Sequence, residues 1–206
     1  MEVIVTEKEK MLLGKLYNAS DAELQKELKR CRKLTRLFNN STEEDIEYRS
    51  KLLKDLFGKV GKNIFIEPTF RCDYGKNIYI GDNFVANYDC IILDVCKVEI
   101  GNNVMFGPNV SLMATNHPLI AHERVAMKYP DGHVSMSEYA DEIHIGNNVW
   151  VAANVVILGG VTIGDNAVIG AGSVVTKDIP ANYLAYGVPC KPIREITEQD
   201  SKIHLL

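Results

Sequence analysis

From about residue 60 onward, apolar side chains recur at every sixth position of the chain. The series runs in two blocks that are separated by an interruption. Its members are Ile100, Phe106 and Leu112 in the first block, and Ile145, Val151, Ile157, Ile163, Ile169 and Val175 in the second. This period matches neither an amphipathic helix nor the simple alternation of a half-buried strand. It is typical of a hexapeptide repeat, in which each unit forms a short strand and a turn.

A second series of small or branched residues follows the first by four positions. Its members are Val104, Val110, Val149, Val155, Val161, Ala167 and Ser173. Three hexads return the chain to its starting edge, and this is the spacing between Gly146 and Gly164. The pattern predicts a triangular β-solenoid with the first series stacked inside and the second series in the corners. The tetrapeptides "IGDN" and "IGNN" mark turns, where Gly, Asn and Asp suit positive φ.

Residues 1–58 follow a helical pattern instead. Signals of the Ser/Thr-x-x-Glu type predict three helix starts, and they are Thr6 with Glu9, Ser20 with Glu23, and Ser41 with Glu44. We expect these helices to cover the open N-terminal edge of the solenoid. The basic stretch 26–36 is interpreted as a solvated helix face, with help in binding an anionic ligand as the alternative. The predicted domains are a helical cap at 1–58, a solenoid at 59–196 and a tail at 197–206.

The repeat is interrupted twice. The step from Ile80 to Ile100 is slightly longer than the three hexads of one coil, which predicts one longer turn. The step from Ile100 to Ile145 is much longer, since it exceeds one coil by four and a half hexads. The excess lies in an excursion over about residues 116–142, where Pro130, Asp131 and Gly132 predict a turn. Long loops in compact domains are usually functional or disordered. The His, Glu, Arg, Tyr and Met content of this excursion argues for function.

Composition and charge narrow the classes of function. The chain has 206 residues, is 46% hydrophobic and carries a net charge of −4, so it suits one large domain and gives no reason to expect nucleic-acid binding. The five cysteines include no Cys-x-x-Cys pair, which fits reduced thiols in a cytosol. Neither a signal peptide nor an apolar run of ~20 residues is present. We therefore expect a cytoplasmic protein without a membrane partner.

The regular pattern ends in "MATNHPLIAHER", residues 113–124, which holds His117 and His122. A catalytic zinc site needs three protein ligands, and no histidine precedes His117, while His133 and His144 lie on or beyond the excursion. We therefore predict no metal site. His117 stands where the last regular hexad meets the excursion, and an imidazole can take a proton from a hydroxyl near neutral pH. His117 is the candidate base, and His122 is interpreted as an exposed loop residue.

Several stretches together resemble the maltose and galactoside O-acetyltransferases, most closely the maltose enzymes. The stretches are "TEKEKMLLGKLYNASD" near the start, "IEPTFRCDYGKNIYIGDNFVANYDCIILDVCKVEIGNN" (66–103), "NHP" (116–118), "IGNNVWVAANVVILGGVTIGDNAVIGAGSVVTKDIP" (145–180) and "GVPCKPIREI" (187–196). The resemblance implies a mainly β fold, a left-handed parallel β-helix with an N-terminal α-helical cap. It also implies a homotrimer with active sites between subunits, and acetyl-CoA as a co-substrate rather than a permanently bound cofactor. The excursion is longer than the resemblance leads us to expect.

The resemblance assigns the acceptor side of the site to four residues. His117 corresponds to the family's catalytic base, which activates a hydroxyl of maltose, glucose or a related sugar for direct attack on the thioester. Asn87 corresponds to the acceptor-site asparagine and lies on an earlier coil, so we expect it to approach His117. Asp73 matches another acceptor-contacting position. Asp94 is a further candidate, with a turn-capping role as the alternative.

The resemblance also implies which residues bind the acetyl donor, acetyl-CoA. The residues that match acetyl-CoA-binding positions are Ala153, Ala171, Thr176, Lys177, Lys191, Arg194 and Trp150. Small side chains at Ala153 and Ala171 let the pantetheine arm approach, and the charges near the C-terminus suit phosphates. Trp150 occupies an outward position, so it either packs against the ligand or has a buried structural role. By analogy, a backbone N–H near Ala153 stabilises the oxyanion.

Three other functions stay open at this point. The same chemistry can serve a different hydroxyl acceptor, either another saccharide or an antibiotic. Solenoids of this type also include zinc carbonic anhydrases, for which stoichiometric zinc would be the evidence. A non-catalytic scaffold would not bind acetyl-CoA.

Overall fold

A computed structural model of the chain describes residues 5–129, 132 and 134–206. The predicted turn at Pro130 and Asp131, and His133, lie outside the described residues. The helices are α1 (Glu7–Leu12), α2 (Ala22–Asn39), α3 (Ile46–Leu56) and α4 (Ala121–Val125), with 3-10 turns at Glu198–Asp200 and Ile203–Leu205. No helix of the described part is long and apolar enough to cross a membrane.

Short strands make up most of the remaining regular structure. In chain order they are β1 (Tyr17–Asn18), β2 (Lys59–Val60), β3 (Phe65–Ile66), β4 (Arg71–Cys72), β5 (Ile78–Ile80), β6 (Val85–Ala86), β7 (Ile91–Leu93), β8 (Val98–Ile100), β9 (Met105–Phe106), β10 (Ser111–Met113), β11 (Thr115–Asn116), β12 (Met127–Lys128), β13 (Val134–Ser135), β14 (Ser137–Ala140), β15 (Ile143–Ile145), β16 (Trp150–Val151), β17 (Val156–Leu158), β18 (Thr162–Ile163), β19 (Val168–Ile169), β20 (Val174–Val175), β21 (Tyr183–Gly187) and β22 (Cys190–Glu195).

Three parallel sheets form the faces of a triangular solenoid. The first face contains β2, β5, β8, β15 and β18; the second contains β3, β6, β9, β16, β19 and β21, with β22 added antiparallel; the third contains β4, β7, β10, β17 and β20. The chain visits the faces in the order first, second, third, and then begins a new coil. The predicted fold class, a parallel β-helix of hexapeptide repeats with a helical cap, is confirmed.

The pairing register confirms the predicted coil lengths. Ile145 pairs with Ile163, which lies three hexads further on, whereas Ile80 pairs with Ile100 and Ile100 pairs with Ile145 across the two longer steps. The first and second coils are both longer, because each takes two extra residues in the corner that follows the third face. The third coil carries the excursion at that same corner. All long insertions therefore fall on one edge of the prism.

The core is the stacked interior of the coils. Every member of both predicted apolar series is buried, from Ile100 to Ser173. Each inward side chain contacts its equivalent in the next coil, so the buried apolar area grows with each added coil and contributes roughly 25 cal/mol per Å².

An asparagine ladder runs along the corner after the first face. Its side-chain amides bond from coil to coil at 2.8–2.9 Å, and its members are Asn63, Asn83, Asn103, Asn148, Asn166 and Asn182. Each has φ between 55° and 61°, the left-handed region that Asn tolerates. The glycines of the "IGDN" and "IGNN" turns were expected to adopt positive φ, but Gly101, two residues before Asn103, does not. A Cβ on Gly101 would lie 2.6 Å from the Gly146 carbonyl oxygen, so close approach of the coils excludes a side chain.

The N-terminal helices pack on the first coils, as predicted. Their apolar stripes join the same core as the solenoid, and Phe57 and Phe70 form an edge-to-face pair across the junction at 5.6 Å. Thr6 and Glu9 form the predicted capping box of α1. The other two predicted starts are displaced, because Asp21 rather than Ser20 caps α2 and α3 begins after Asp45 without a side-chain cap. In both places a carboxylate stands nearer the helix than the serine does.

The described residues of the excursion form strands and a short helix that pack on the rest of the fold. Its strand β14 lies antiparallel between β1 of the N-terminal segment and β11 at the end of the third coil. The antiparallel pair β12 and β13 and the short helix α4 are further regular elements in its described part. The loop therefore ties the N-terminus to the edge of the prism that carries the insertions.

Asp94 lies in the longer corner of the second coil and has no exposed surface. Its carboxylate accepts hydrogen bonds from the backbone N–H groups of Asp73, Tyr74 and Asn77 at 3.0, 2.9 and 3.2 Å. Burial raises the pKa of this carboxyl to about 7, although the N–H donors act in the opposite direction. A fully buried group with these partners does not touch an acceptor. The predicted acceptor contact of Asp94 is therefore replaced by its turn-capping alternative.

Replacing Asp94 with alanine should destabilise the fold by about 3 kcal/mol or more, because three backbone N–H groups that bond to its fully buried carboxylate lose their acceptor. The expected fall in Tm is roughly 6–12 °C for a domain of this size. Thermal denaturation at one fixed protein concentration measures it. Asp82→Ala is the matched control, since Asp82 also accepts a backbone N–H, from Lys62, but at an exposed corner where water replaces it. Equal losses in the two variants would contradict the capping role.

Candidate active site

His117 lies directly after β11, at the corner that follows the third face. Its side chain is exposed, and its Nδ1 lies 3.0 Å from the backbone carbonyl oxygen of Ser137. A carbonyl only accepts, so this contact requires that Nδ1 carry the proton and leaves the lone pair on Nε2. No described group bonds to Nε2. The geometry therefore presents one basic nitrogen toward solvent in a defined tautomer.

The excursion holds the carbonyl that orients this imidazole. Ser137 is buried, and its Oγ lies 2.8 Å from the Tyr129 hydroxyl, which donates to the backbone carbonyl of Tyr17 at 2.8 Å. Strand pairing on both sides of β14 adds main-chain bonds to the same unit. The N-terminal segment, the excursion and the third coil thus hold His117 together.

A group of buried and half-buried polar side chains lies near the base. Tyr17, which is fully buried, donates its hydroxyl to Glu138 Oε2 at 2.5 Å, and burial together with this carboxylate raises the pKa of Tyr17 far above its ordinary value. Asp73 follows β4 at the same corner as His117. Burial first, and then Glu138, raise the pKa of Asp73 to about 6, while Arg32 acts in the opposite direction. Asp73 thus lies at the corner that carries the candidate base, and its contact with an acceptor stays a prediction.

Tyr17, Ser137 and Glu138 did not emerge from the repeat pattern. Tyr17 and Glu138 are 121 residues apart, and neither belongs to a hexad. The one local signal was the alternation of "SEYA" at 137–140, which is typical of a strand. Pairing of that strand with the N-terminus depends on the tertiary fold.

Asn87 lies at a different corner of the prism. It follows β6 on the second face, whereas His117 follows the third face. Its Oδ1 accepts the N–H of Tyr88 at 2.8 Å, and its Nδ2 has no partner among the described residues. The expected approach of Asn87 to His117 within one chain is therefore wrong, because their separation along the chain is not a whole number of coils.

Ala153 and Ala171 occupy the same corner as Asn87. The backbone N–H of Gly172 bonds to the Ala153 carbonyl at 2.9 Å, which stacks the two alanines in adjacent coils. Gly107 continues the small surface, since a Cβ there would lie 2.7 Å from the Ala153 nitrogen. The Ala153 N–H has no described backbone acceptor. This corner therefore offers a path lined by small side chains, with the Ala153 N–H as an available donor.

The other residues predicted to bind acetyl-CoA lie in two parts of the solenoid, on the second face and at the corner after the third face. Trp150 points outward from the second face and is 49% exposed, so its buried alternative is wrong for the single chain. Lys191 and Arg194 are exposed on β22, at the edge of the same sheet, with β21 and β19 between them and Trp150. Thr176 and Lys177 follow β20 at the corner that carries His117.

Arg194 is already engaged within the chain. Its two terminal nitrogens bond to the two oxygens of Asp200 at 2.8 and 2.5 Å, and this guanidinium holds the pKa of Asp200 well below its usual range. A phosphate would have to share or displace this exposed carboxylate, which the sequence did not indicate.

Metal-binding side chains do not cluster in the part of the chain that the structure describes. His122 is exposed on α4, and the described residues contain no group of three or more His, Cys, Asp or Glu side chains placed to hold an ion. The five cysteines are all unpaired.

Comparison with known proteins agrees with this architecture. Residues 10–61 match the maltose acetyltransferase hexapeptide capping motif, and residues 142–177 match the bacterial transferase hexapeptide with its six repeats. The galactoside O-acetyltransferase of Escherichia coli K12 is 46% identical over 192 residues, which cover 93% of this chain and 90% of that protein.

Two solved structures are similar over almost the whole chain. A maltose O-acetyltransferase from Clostridium difficile 630 is 55% identical with a TM-score of 0.86, covering 94% of this chain and 98% of that one. A galactoside acetyltransferase in complex with coenzyme A is 45% identical with a TM-score of 0.86, covering 94% and 92%. The resemblance stated from the sequence motifs is thereby confirmed, and the chain belongs to the family of maltose and galactoside O-acetyltransferases.

Proposed function

We propose that the chain transfers the acetyl group of acetyl-CoA to a hydroxyl of maltose, glucose or a related sugar, with His117 as the general base. The observation that carries the proposal is the hydrogen bond from His117 Nδ1 to the Ser137 carbonyl. It leaves Nε2 as the basic nitrogen at an exposed position on a rigid coil. An acceptor hydroxyl within hydrogen-bond reach of Nε2 has its proton removed as it attacks.

The reaction then proceeds by direct transfer. The acceptor oxygen bonds to the thioester carbonyl carbon, Nε2 takes the hydroxyl proton, and the carbonyl oxygen becomes an oxyanion. Collapse of this intermediate breaks the carbon–sulfur bond, and the proton held by His117 passes to the departing CoA sulfur. Oxyanion stabilisation by a fixed N–H is often worth about 10²–10³ in rate. The available N–H of Ala153 suits that role.

The predicted residues form one site when two copies of the chain meet. Asn87, Ala153 and Ala171 lie at one corner and His117 at another, so a single copy holds the two groups on separate edges. The outward second face also carries a column of exposed apolar side chains in register, Phe65, Val85, Met105 and Trp150. Burial of this column against a neighbour removes apolar surface from water. These features support the homotrimer with shared active sites that the family resemblance implied.

Acetyl-CoA then lies along the junction between copies. In this arrangement the pantetheine arm follows Ala153 and Ala171 of one copy, while Thr176 and Lys177 come from the edge that carries the base. Lys191 supplies a free ammonium for a phosphate. Arg194 contributes when Asp200 shares or releases it.

The same chemistry on another hydroxyl acceptor is the alternative. The excursion forms one wall beside the base through Ser137 and Glu138, so its sequence shapes the acceptor pocket. A panel of sugars, other alcohols and hydroxylated antibiotics separates the two, because thiol release from acetyl-CoA reports transfer to any of them.

Replacing His117 with alanine should lower kcat for acetyl transfer by ~10²–10⁴-fold, the usual cost of losing a general base. Thiol release with maltose and glucose as acceptors measures the loss. His122→Ala is the matched control and should retain wild-type activity, since His122 is exposed on α4. Full activity of the His117 variant would remove it from the reaction.

Mixing two inactive variants tests the shared site. If the site is shared, His117 of one copy meets Asn87 of a neighbour. Coexpressed His117→Ala and Asn87→Ala chains should then form about a quarter of the wild-type number of active sites, because random trimers place both intact residues at one junction in four. Thiol release per trimer measures this recovery, with each variant expressed alone as the control. Activity that stays at the level of the separate variants would contradict a site built from two copies.

A further inference from the structure

A cleft of about 760 Å³ lies between helix α2 and the outer surface of the third face. One wall is formed by Arg32, Thr35, Arg36 and Asn39 of the helix. Arg71 rises from the floor on β4. Asp73 also lines the cleft, and it follows β4 at the same corner as His117.

Positive charge in this cleft exceeds what the chain itself neutralises. Among the described residues, no carboxylate or carbonyl forms an ion pair or hydrogen bond with the guanidinium groups of Arg32, Arg36 or Arg71, and Asp73 is the one carboxylate in the lining. The chain's other arginines all have such partners, namely Arg30 on Asp55, Arg49 on Ile66, Arg124 on Pro118 and Arg194 on Asp200. Three guanidinium groups around one concavity create a positive potential that Asp73 offsets only in part, through its electrostatic interaction with Arg32, and their planar forks match phosphate and carboxylate groups.

The cleft lies on the acceptor side of the base. Asp73 belongs to the first coil, and Met113, which also lines the cleft, belongs to the third coil and precedes His117 by four residues. Thr176, on the donor side, stands on the same corner in the fifth coil. Coils stack at roughly 4.8 Å, so the cleft and the donor residues extend in opposite directions from the base, each by about 10 Å. A group held in the cleft therefore belongs to the acceptor rather than to CoA.

We propose that this cleft is an anion subsite of the acceptor pocket, so that the preferred acceptor is a saccharide with a phosphate or carboxylate group remote from the hydroxyl that is acetylated. Arg32, Arg36 and Arg71 hold the anionic group, and Asp73 marks the passage to the base. The proposal rests on the proposed acetyl transfer and narrows its substrate class. It also gives the basic helix face a role in binding an anionic ligand.

Acetyl transfer to matched acceptors tests the specificity. Maltose, maltose 6′-phosphate and the disaccharide of glucuronic acid and glucose differ in charge, and thiol release gives kcat/KM for each. We expect at least one anionic acceptor to exceed maltose about tenfold or more, with an advantage that shrinks as salt is added. Comparison of kcat/KM for the phosphorylated and the carboxylated acceptor shows which anionic group the cleft binds better.

The double variant Arg36→Gln/Arg71→Gln should lower kcat/KM for the anionic acceptors to the value for maltose. Its kcat/KM for maltose should stay within about twofold of the wild-type value. Lys33→Gln is the matched control, because it removes a charge from the same helix outside the cleft and should leave the preference intact. Equal kcat/KM for neutral and anionic acceptors in the wild type, or a preference that survives in the double variant, would overturn the proposal.

Binding without turnover separates this subsite from the proposed function. Calorimetry with maltose 6′-phosphate and with inorganic phosphate, in the absence of acetyl-CoA, should show binding to the wild type that the double variant loses. If no sugar is acetylated but this binding is seen, the acetyl-transfer proposal fails and the anion subsite stands. No binding of either compound would overturn the subsite, whatever the outcome of the activity assay.

Discussion

In-register stacking of the coils is the constraint on which the rest of the structure depends. Each coil pairs its backbone with the next, and the side-chain amides of Asn103 and Asn148 belong to a ladder that fixes the corner at the same height in every coil. Close approach of the coils excludes side chains at Gly101 and Gly146. A residue's place in the hexad therefore determines its face and its height along the prism, and with them its neighbours.

This constraint explains what the sequence could predict and what it could not. The inward series, the corner residues and the two abnormal coil lengths follow from periodicity alone, and His117 stands out because it ends the last regular hexad. The partner of His117 does not follow, because Ser137 reaches the base through antiparallel pairing of β14 with β11 and with β1 of the N-terminal segment. Asp94 was ambiguous for a similar reason, since only the stacked coil shows that the carboxylate meets three N–H groups.

The position of Asn87 shows that the number of hexads between two residues does not measure their distance in space. Asn87 and His117 are only a few hexads apart in the chain, but they lie at different corners of the prism. A rigid prism cannot bring these corners together by bending. The residues that resemble a family site are therefore distributed on separate edges, and a second copy of the chain supplies the simplest way to unite them. The basic cleft, in contrast, lies within one copy, next to the edge that holds the base.

The proposed transfer depends on the Ser137 carbonyl, which fixes His117 in the tautomer that leaves Nε2 basic. Nitrogen-15 NMR of histidine-labelled protein, with the His117 signal assigned from a His117→Gln variant, measures the tautomer directly in the neutral form. We expect a protonated Nδ1 and an unprotonated Nε2 for His117. A ring protonated mainly on Nε2 would contradict this expectation, because that nitrogen then has no lone pair with which to take the acceptor's proton.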